Sequence, residues 1–326
     1  MSASRLAFLT GASGFIGTNL VPTLIAAGWR VINYDSVPPL RSAHQPHHRR
    51  GDILDSAALV RALQEFQPEA VIHLAARTDC REDTTINDYV VNTHGTRHVL
   101  EAIKKTASVK RAIITSSQYV CGPGRLPVSD TDYFPTTTYG ASKVIAEQLT
   151  RAADLPFSWV IIRPVNTWGP YHMRYAREFW EIVRRGWYFH PNLRSPIRCY
   201  GHVGNVTWQI QRLLDLPDAS IHQRVLYVGD RPAPIDRWVF GFHRAIRGAE
   251  PRKLPAAVLH ALALIGDSIS VVTRRPFFLS SSRLRSMTED YLVENAETFR
   301  LLGEPPWTLD QGIRQTVDWL RQEVWR

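Results

Sequence analysis

Short apolar runs, bounded by glycine, proline and polar clusters, alternate through the first half of the chain with longer stretches in which apolar residues recur every three or four positions. Leu6 to Leu9 is the first run, and Phe15 and Ile16 open a helical pattern that continues through Leu20, Leu24 and Ile25 and stops near Gly28. Arg30 to Asp35 (RVINYD) reads as a second strand and Ser56 to about Phe66 as a helix. Ala70 to Ala76 (AVIHLAA) reads as a buried parallel strand ending in small residues. Val90 to Lys105 has the helical period, interrupted at Gly95. Arg111 to Ser117 (RAIITSS) is a strand tipped with hydroxyls, Tyr139 to Ala153 a helix, and Ser158 to Arg163 a strand closed by Pro164. This alternation predicts an α/β fold, a Rossmann-type doubly wound parallel sheet.

Beyond Gly169 and Pro170 the alternation fails. Tyr171 to Tyr200, with Arg174, Arg177, Trp180, Trp187 and Arg198, reads as a lid or substrate wall, and Arg224 to Gly229 as one more strand returning to the main sheet. Residues 1–170 are thus expected to form a dinucleotide-binding domain, with residues 171–326 mainly a smaller, irregular C-terminal substrate-binding domain. Leu254 to Val272 is apolar but carries His260, Asp267 and serines, which makes a poor membrane span. A packed helix pair is expected there, with a membrane-surface contact as the other reading and no stable insertion. The last helix, Leu309 to Glu323, sets Ile313, Val317 and Leu320 on one face. Ser36 to Arg50, with His44, His47 and His48, reads as a polar loop.

Composition adds a soluble, globular character: 326 residues, 44% hydrophobic and 21% charged, suffice for one large or two modest cores. Cys80, Cys121 and Cys199 are too few for a disulfide framework, and no pair has metal-ligand spacing, so no metal is expected and a reducing cytoplasm fits. The N-terminus MSASRLAFLT has no apolar core of signal-peptide length. The net charge of +9 rests on 34 arginines and five lysines. They are scattered and no nucleic-acid motif accompanies them, so the expected partner is a small anionic substrate held by arginine forks.

The chemistry centres on TGASGFIG, residues 10–17, between the first strand and the first helix. Gly11 makes the tight turn, Gly14 lets backbone approach a pyrophosphate, and Gly17 lets helix and strand pack closely. Asp35 ends the second strand about 20 residues on, where an acid meets a ribose hydroxyl pair. Ser116 and Ser117 lie at a strand's carboxyl end, the edge where open parallel sheets bind ligands. Tyr139 and Lys143, four apart on one helix, share a face. A phenol must gain about three units of acidity, roughly 4 kcal/mol, to lose its proton at neutral pH, and an ammonium one turn away is expected to supply much of that. Ser117 can hold the substrate oxygen whose proton Tyr139 removes. Asn92 is expected to hold a backbone carbonyl or a water near Lys143.

The loop at 10–17, Asp35, Asp52, HLAA at 73–76, Asn92 in VNTHGT, TSS at 115–117, YGASK at 139–143 and RPVNTWGP at 163–170 together resemble the extended short-chain dehydrogenase/reductase family, in its nucleotide-sugar epimerase/dehydratase branch. The resemblance implies NAD at Gly11, Ser13, Gly14, Phe15, Ile16 and Gly17, with Asp35 on the adenosine ribose and Asp52 and Ile53 at the adenine. It further implies Leu74, Ala75, Ala76, Asn92, Thr115 and Pro164 along the cofactor, and Ser117, Tyr139 and Lys143 as the catalytic set, the last two also touching the cofactor. Thr78, Ser117, Asn166, Arg177 and Arg198 are the implied substrate residues, and a homodimer through the helices at about 90–105 and 140–153 is the implied assembly.

Departures from the family narrow the reaction. Its dehydratases carry an acid pair after the catalytic hydroxyl residue, where this chain has Gln118 and Tyr119; a cysteine acid of its C3/C5 epimerases is likewise replaced by Tyr119. Cys121 reads as structural, and Trp168 replaces a tyrosine beside the sugar. The expected activity is an NAD-dependent epimerisation of a nucleotide sugar at C4 through a 4-keto sugar. A keto-sugar reductase or other alcohol dehydrogenase is the alternative, a hydroxysteroid enzyme among them given the apolar 254–272 stretch. Asp35 favours NAD by repelling a 2′-phosphate, against Arg41, Arg49 and Arg50 nearby.

Overall fold

The computed structural model describes residues 5–81, 83–273 and 279–326, so the first four residues of the N-terminus lie outside the described residues. Seven strands form one parallel sheet: β1 (Leu6–Thr10), β2 (Arg30–Asp35), β3 (His48–Arg50), β4 (Ala70–His73), β5 (Arg111–Thr115), β6 (Ser158–Pro164) and the strand Arg224–Val228. Their order is Arg224–Val228, β6, β5, β4, β1, β2, β3. The chain steps outward from β1 first one way and then the other, which opens a crevice beyond the carboxyl ends of β1 and β4. Thr10 is in register with both Tyr34 and His73 there.

Successive strand residues feed opposite cores, the two-residue period of a sheet buried on both faces. Ala7, Leu9, Ile72, Ile113 and Ile162 pack with Leu20, Val21 and Leu24 of α1 (Phe15–Ala26) and with Val206, Ile210 and Leu213 of the helix Val203–Asp215. Phe8, Val71, Ala112, Ile114 and Ile161 pack with Leu59 and Leu63 of α2 (Ser56–Phe66) and with Val99, Leu100 and Ile103 of α3 (Thr96–Lys104). The helix Val203–Asp215 and the strand Arg224–Val228 thus extend the sheet layer with residues from beyond position 170.

Three expectations change. The helix at 90–105 opens with a π turn, Val91–Gly95, and a side chain at Gly95 would place its Cβ 2.5 Å from Ile53 Cδ1, so the interruption is a packing device. Pairing of β4 stops at His73, where Leu74 N–H gives its bond to Thr10 O and the chain turns over Gly11. Finally, the segment expected as a loop at 36–50 contains the 3-10 turn Ser42–His47 and the edge strand β3.

A third, aromatic core joins Trp168, Trp180, Trp238, Phe242, Ile313, Val317 and Trp319, packed between helices Ile235–Arg247 and Leu309–Trp319. Trp180 is fully buried in it, so this part of the expected wall is core. The apolar stretch at 254–272 forms most of a helix, Ala256–Thr273, paired with Ser281–Thr288 through Leu259, Ala263 and Leu284. Among the described residues no helix is long and apolar enough to cross a membrane.

Candidate active site

The glycine loop is shaped for close contacts. Gly11 has φ +74°, and a Cβ on it would lie 2.5 Å from the backbone of Ala75; one on Gly17 would lie 2.2 Å from Ala12 Cα. Gly14 is exposed, and a Cβ there would meet only Gly11 O, at 3.2 Å. The N-terminus of α1 has no side-chain cap and no acid in its first turn, which leaves the amides of Phe15, Ile16 and Gly17 and the positive end of the helix for an anion. Asp35 accepts the Ser13 N–H at 3.0 Å and the Val37 N–H at 3.1 Å, so the acid at the end of β2 sits on the lip of the loop. Asn33 Nδ2 donates to Ser13 Oγ, which donates to Val37 O and fastens the loop to the same strand end. This cradle fits a diphosphate with a ribose beside it. Asp52 is exposed and accepts the Leu54 N–H, while Ile53 is buried beneath Gly95.

Beyond β4 the partly buried Leu74, Ala75 and Ala76 run alongside Gly11. Asn92 brackets the next residue, its Oδ1 accepting Arg77 N–H at 2.8 Å and its Nδ2 donating to Arg77 O at 2.9 Å, and it also donates to Ser142 Oγ. It therefore holds backbone, as expected of it, and ties this loop to α4 (Thr138–Ala152). Thr78 is exposed.

The α4 helix starts at a Thr137 cap, whose hydroxyl accepts Gly140 N–H. Gly140 permits an unusually close approach: a Cβ would be 2.1 Å from Tyr119 O. That contact brings Tyr139 near Ser117, which is buried, accepts Tyr119 N–H at 3.2 Å and lies close enough to act on the Tyr139 phenol. Burial raises the phenol well above its ordinary range, with the nearby Ser117 hydroxyl opposing. Burial thus works against the acidification expected from the lysine. Lys143 is buried, its Nζ donates to Thr115 O at 2.8 Å, and burial brings it down to about 8 against the opposing charge of Glu147.

Glu147, the next residue on that helical face, was not visible as a site residue in the sequence. It is fully buried and paired with Arg163 through two 2.8 Å bonds, and it accepts the hydroxyls of Ser116 and Tyr133. Its signal was the Tyr139, Lys143, Glu147 spacing, two turns of one face.

On the outer side, Tyr119 stands edge-on to Tyr139 at 5.9 Å and to Tyr291 at 6.2 Å, and its hydroxyl donates to Asn166 Oδ1 at 3.5 Å. Burial pushes its phenol up to about 12. Arg198 is buried, donates to Glu289 O and lies 5.7 Å over the Tyr291 ring, close enough for its charge to act on Tyr119. Arg177 is exposed on the π turn Ala176–Trp180; the charge that reaches Cys80 is that of Arg174, which acts on Tyr119 together with Arg198. The wide π turn carries Arg177 off the face that Arg174 shares with Glu178, which it pairs at 3.4 Å. Cys80, half-buried near Tyr119 and Tyr139, is a second residue that the sequence did not single out. Trp168 is fully buried against His202, Trp238 and Phe242, which places it in the aromatic core. Cys121 is buried, its thiol directed at Asp132 O.

The chain is similar to known proteins. The chain is 27% identical over 335 residues to the N-acetyl-alpha-D-glucosaminyl-diphospho-ditrans,octacis-undecaprenol 4-epimerase of Escherichia coli, covering 95% of this chain and 94% of the relative. It is 25% identical over 363 residues to a dTDP-glucose 4,6-dehydratase of Xanthomonas campestris pv. campestris, covering 97% and 93%. The UDP-glucose 4-epimerase of Thermotoga maritima, solved with UDP-glucose, has the same fold with a TM-score of 0.74 at 22% identity, over 98% of this chain and 99% of that one. Residues 7–229, which carry the glycine loop, the sheet and the Ser117, Tyr139 and Lys143 cluster, match the NAD dependent epimerase/dehydratase family, and the chain is an NAD-dependent enzyme of that family.

Proposed function

We propose that this enzyme is a 4-epimerase of a nucleotide-diphosphate sugar. The observation that carries the reading is the nearness of the Ser117 hydroxyl to the Tyr139 phenol beyond the carboxyl end of β5, with an amide and a phenol at the two following positions. When bound across the glycine loop, NAD supplies the hydride acceptor and a positive ring. Tyr139 removes the proton of the C4 hydroxyl, Ser117 holds the same oxygen, and Lys143, fixed on Thr115 O, stabilises the phenolate. Neither Gln118 nor Tyr119 is a carboxylic acid that could expel water from C6, so the keto sugar is reduced again on its other face. Asn166, Arg198 and Arg174 hold the diphosphate, and Thr78 lies at the sugar end. Asp35 takes the ribose hydroxyls, Asp52 and Ile53 the adenine, and Ala75, Ala76 and Pro164 the nicotinamide side. The enzyme works in the cytoplasm as a homodimer, joined through the outer faces of α3 and α4, where Ala141, Val144 and Ile145 line an apolar depression with Ile86.

A second reading keeps the chemistry and replaces the nucleoside by a polyprenol. The outward apolar side of the helix Ala256–Thr273 favours it, as does the lipid-linked substrate in the name of the Escherichia coli relative.

Purified enzyme, incubated without added cofactor with UDP-, dTDP- and GDP-hexoses and with a polyprenyl-diphosphate sugar, is expected to interconvert one pair of C4 epimers. Stoichiometric consumption of NADH on a keto sugar, with no interconversion in any of the four classes, would establish the reductase instead.

A further inference from the structure

The helix Ala256–Thr273 buries Leu259, Ala263 and Gly266 and turns the opposite side outward. One exposed flank of the helix is a stripe of Val258, Leu262, Ile265 and Ile269, spaced four, three and four apart, and exposed Leu264 stands further round the helix from it. Leu264 is 63% exposed and Ile265 55%. The stripe runs about 16 Å along the helix. Its one acid, Asp267, is turned inward to accept Ser281 N–H. Exposed Arg252 and Lys253 precede the helix, and exposed Arg285 lies on its partner helix.

We propose that this face docks on the surface of an anionic lipid bilayer, with the helix lying in the interfacial plane. Among the described residues no helix is long and apolar enough to span. A side chain of leucine or isoleucine turned outward gains from leaving water, and the basic rim complements acidic headgroups. A second copy of the chain is disfavoured as the occupant, because each copy carries +9 and brings the same basic rim to the contact.

The position of the helix gives the docking a purpose. The strand Arg252–Leu254 leading into it pairs with Phe189–Pro191, and its partner helix is tied by Arg283 to Glu178, the residue that also pairs Arg174. Arg174 in turn acts on Cys80 and Tyr119 in the cleft. Docking therefore brings the substrate wall to the headgroup layer, whichever sugar carrier is used.

The test is flotation of the full chain with vesicles of neutral phosphatidylcholine and with vesicles containing phosphatidylglycerol. Binding is expected on the anionic vesicles, weakening as salt rises and falling about tenfold or more in L262D/I265D. L264D alone is expected to weaken it less, and R252S/K253S to remove the preference for anionic lipid. NAD affinity and the urea midpoint of each variant, unchanged, separate lost docking from lost folding. The proposal fails if the wild-type chain does not float at low salt, or if well-folded L262D/I265D floats as before. It also fails if that variant only converts a dimer into a monomer in light scattering, which would make the stripe a contact between copies.

Discussion

Lys143 donates to the carbonyl oxygen of Thr115 at 2.8 Å, so the ammonium on α4 is fixed by the end of the strand that also carries Ser117. Burial lowers this lysine from 10.5 to about 8, a shift with a definite sign for stability. Between about 8 and 10.5 the unfolded chain binds the proton that the folded one has lost, so stability contributed by this site rises with pH. Below 8 the buried charge costs about 3 kcal/mol. K143M is therefore expected to be inactive and yet more stable than wild type at pH 7, by roughly 2 kcal/mol once the lost hydrogen bond is subtracted. Urea melts at pH 7, 8, 9 and 10 should show that advantage shrinking toward zero.

His73 lies between two hydroxyls, with Thr10 Oγ1 2.7 Å from Nδ1 and Thr96 Oγ1 3.0 Å from Nε2. The Thr96 hydroxyl donates to Asn92 O, so it must accept from the ring, which puts the imidazole proton on Nε2 and leaves Nδ1 to accept from Thr10. Burial first and the Lys143 charge second lower this histidine to about 3. Stability from the neutral ring is present above pH 6.5 and lost as pH falls toward 3. Nitrogen NMR should show one neutral tautomer unchanged from pH 8 to 5, and a ring that titrates near 6.5 would refute the arrangement. In K143M the same ring should take up its proton at a higher pH than in wild type.

Much of this was legible along the chain because it depends on local period and on glycine. The ends of β2 and α2 follow from runs of apolar residues, and the loop at 10–17 from residues whose neighbours forbid a side chain. What was not legible depends on distant partners. Glu147 looks like any solvent-facing acid until Arg163 arrives from β6. Trp168 and Trp180 look like cleft aromatics until two helices some 60 to 150 residues further on close over them. That the charge of Arg174, and not of Arg177, reaches Cys80 and Tyr119 turns on a π turn, which no apolar period announces. The burial that works against the acidity expected of Tyr139 is likewise hidden in a sequence, where a neighbouring charge is visible.

The Glu147–Arg163 pair is buried on both sides, at 0% and 1% exposure, with every carboxylate oxygen bonded twice. Removing one partner leaves the other charge in the core, at a cost of about 3 to 5 kcal/mol. E147Q is expected to lose that much in denaturant unfolding. Because the Glu147 charge is what holds Lys143 up, the variant should also shift the lysine further below its ordinary value, moving the alkaline edge of the activity profile downward. A midpoint unchanged in E147Q would show that the pair is solvated.

Three glycines separate the demands of the fold from those of the cofactor. Gly28 has φ +82° with nothing within 4 Å of an added Cβ, so G28A carries only backbone strain, about 1 kcal/mol. Gly11 has nearly the same conformation, but its Cβ would meet the Ala75 backbone at 2.5 Å, so G11A must push β1 and β4 apart at their crevice. It should lose distinctly more stability than G28A, and NAD binding with it. Gly14 has an ordinary backbone and only Gly11 O near the new methyl, yet that methyl stands at the open mouth of α1 where a pyrophosphate would approach. G14A is thus expected to melt within about 1 kcal/mol of wild type while its NAD affinity falls at least about tenfold. Calorimetric titration of the three variants beside their urea melts reads both quantities, and equal NAD affinity in G14A and wild type would remove the cofactor from this loop.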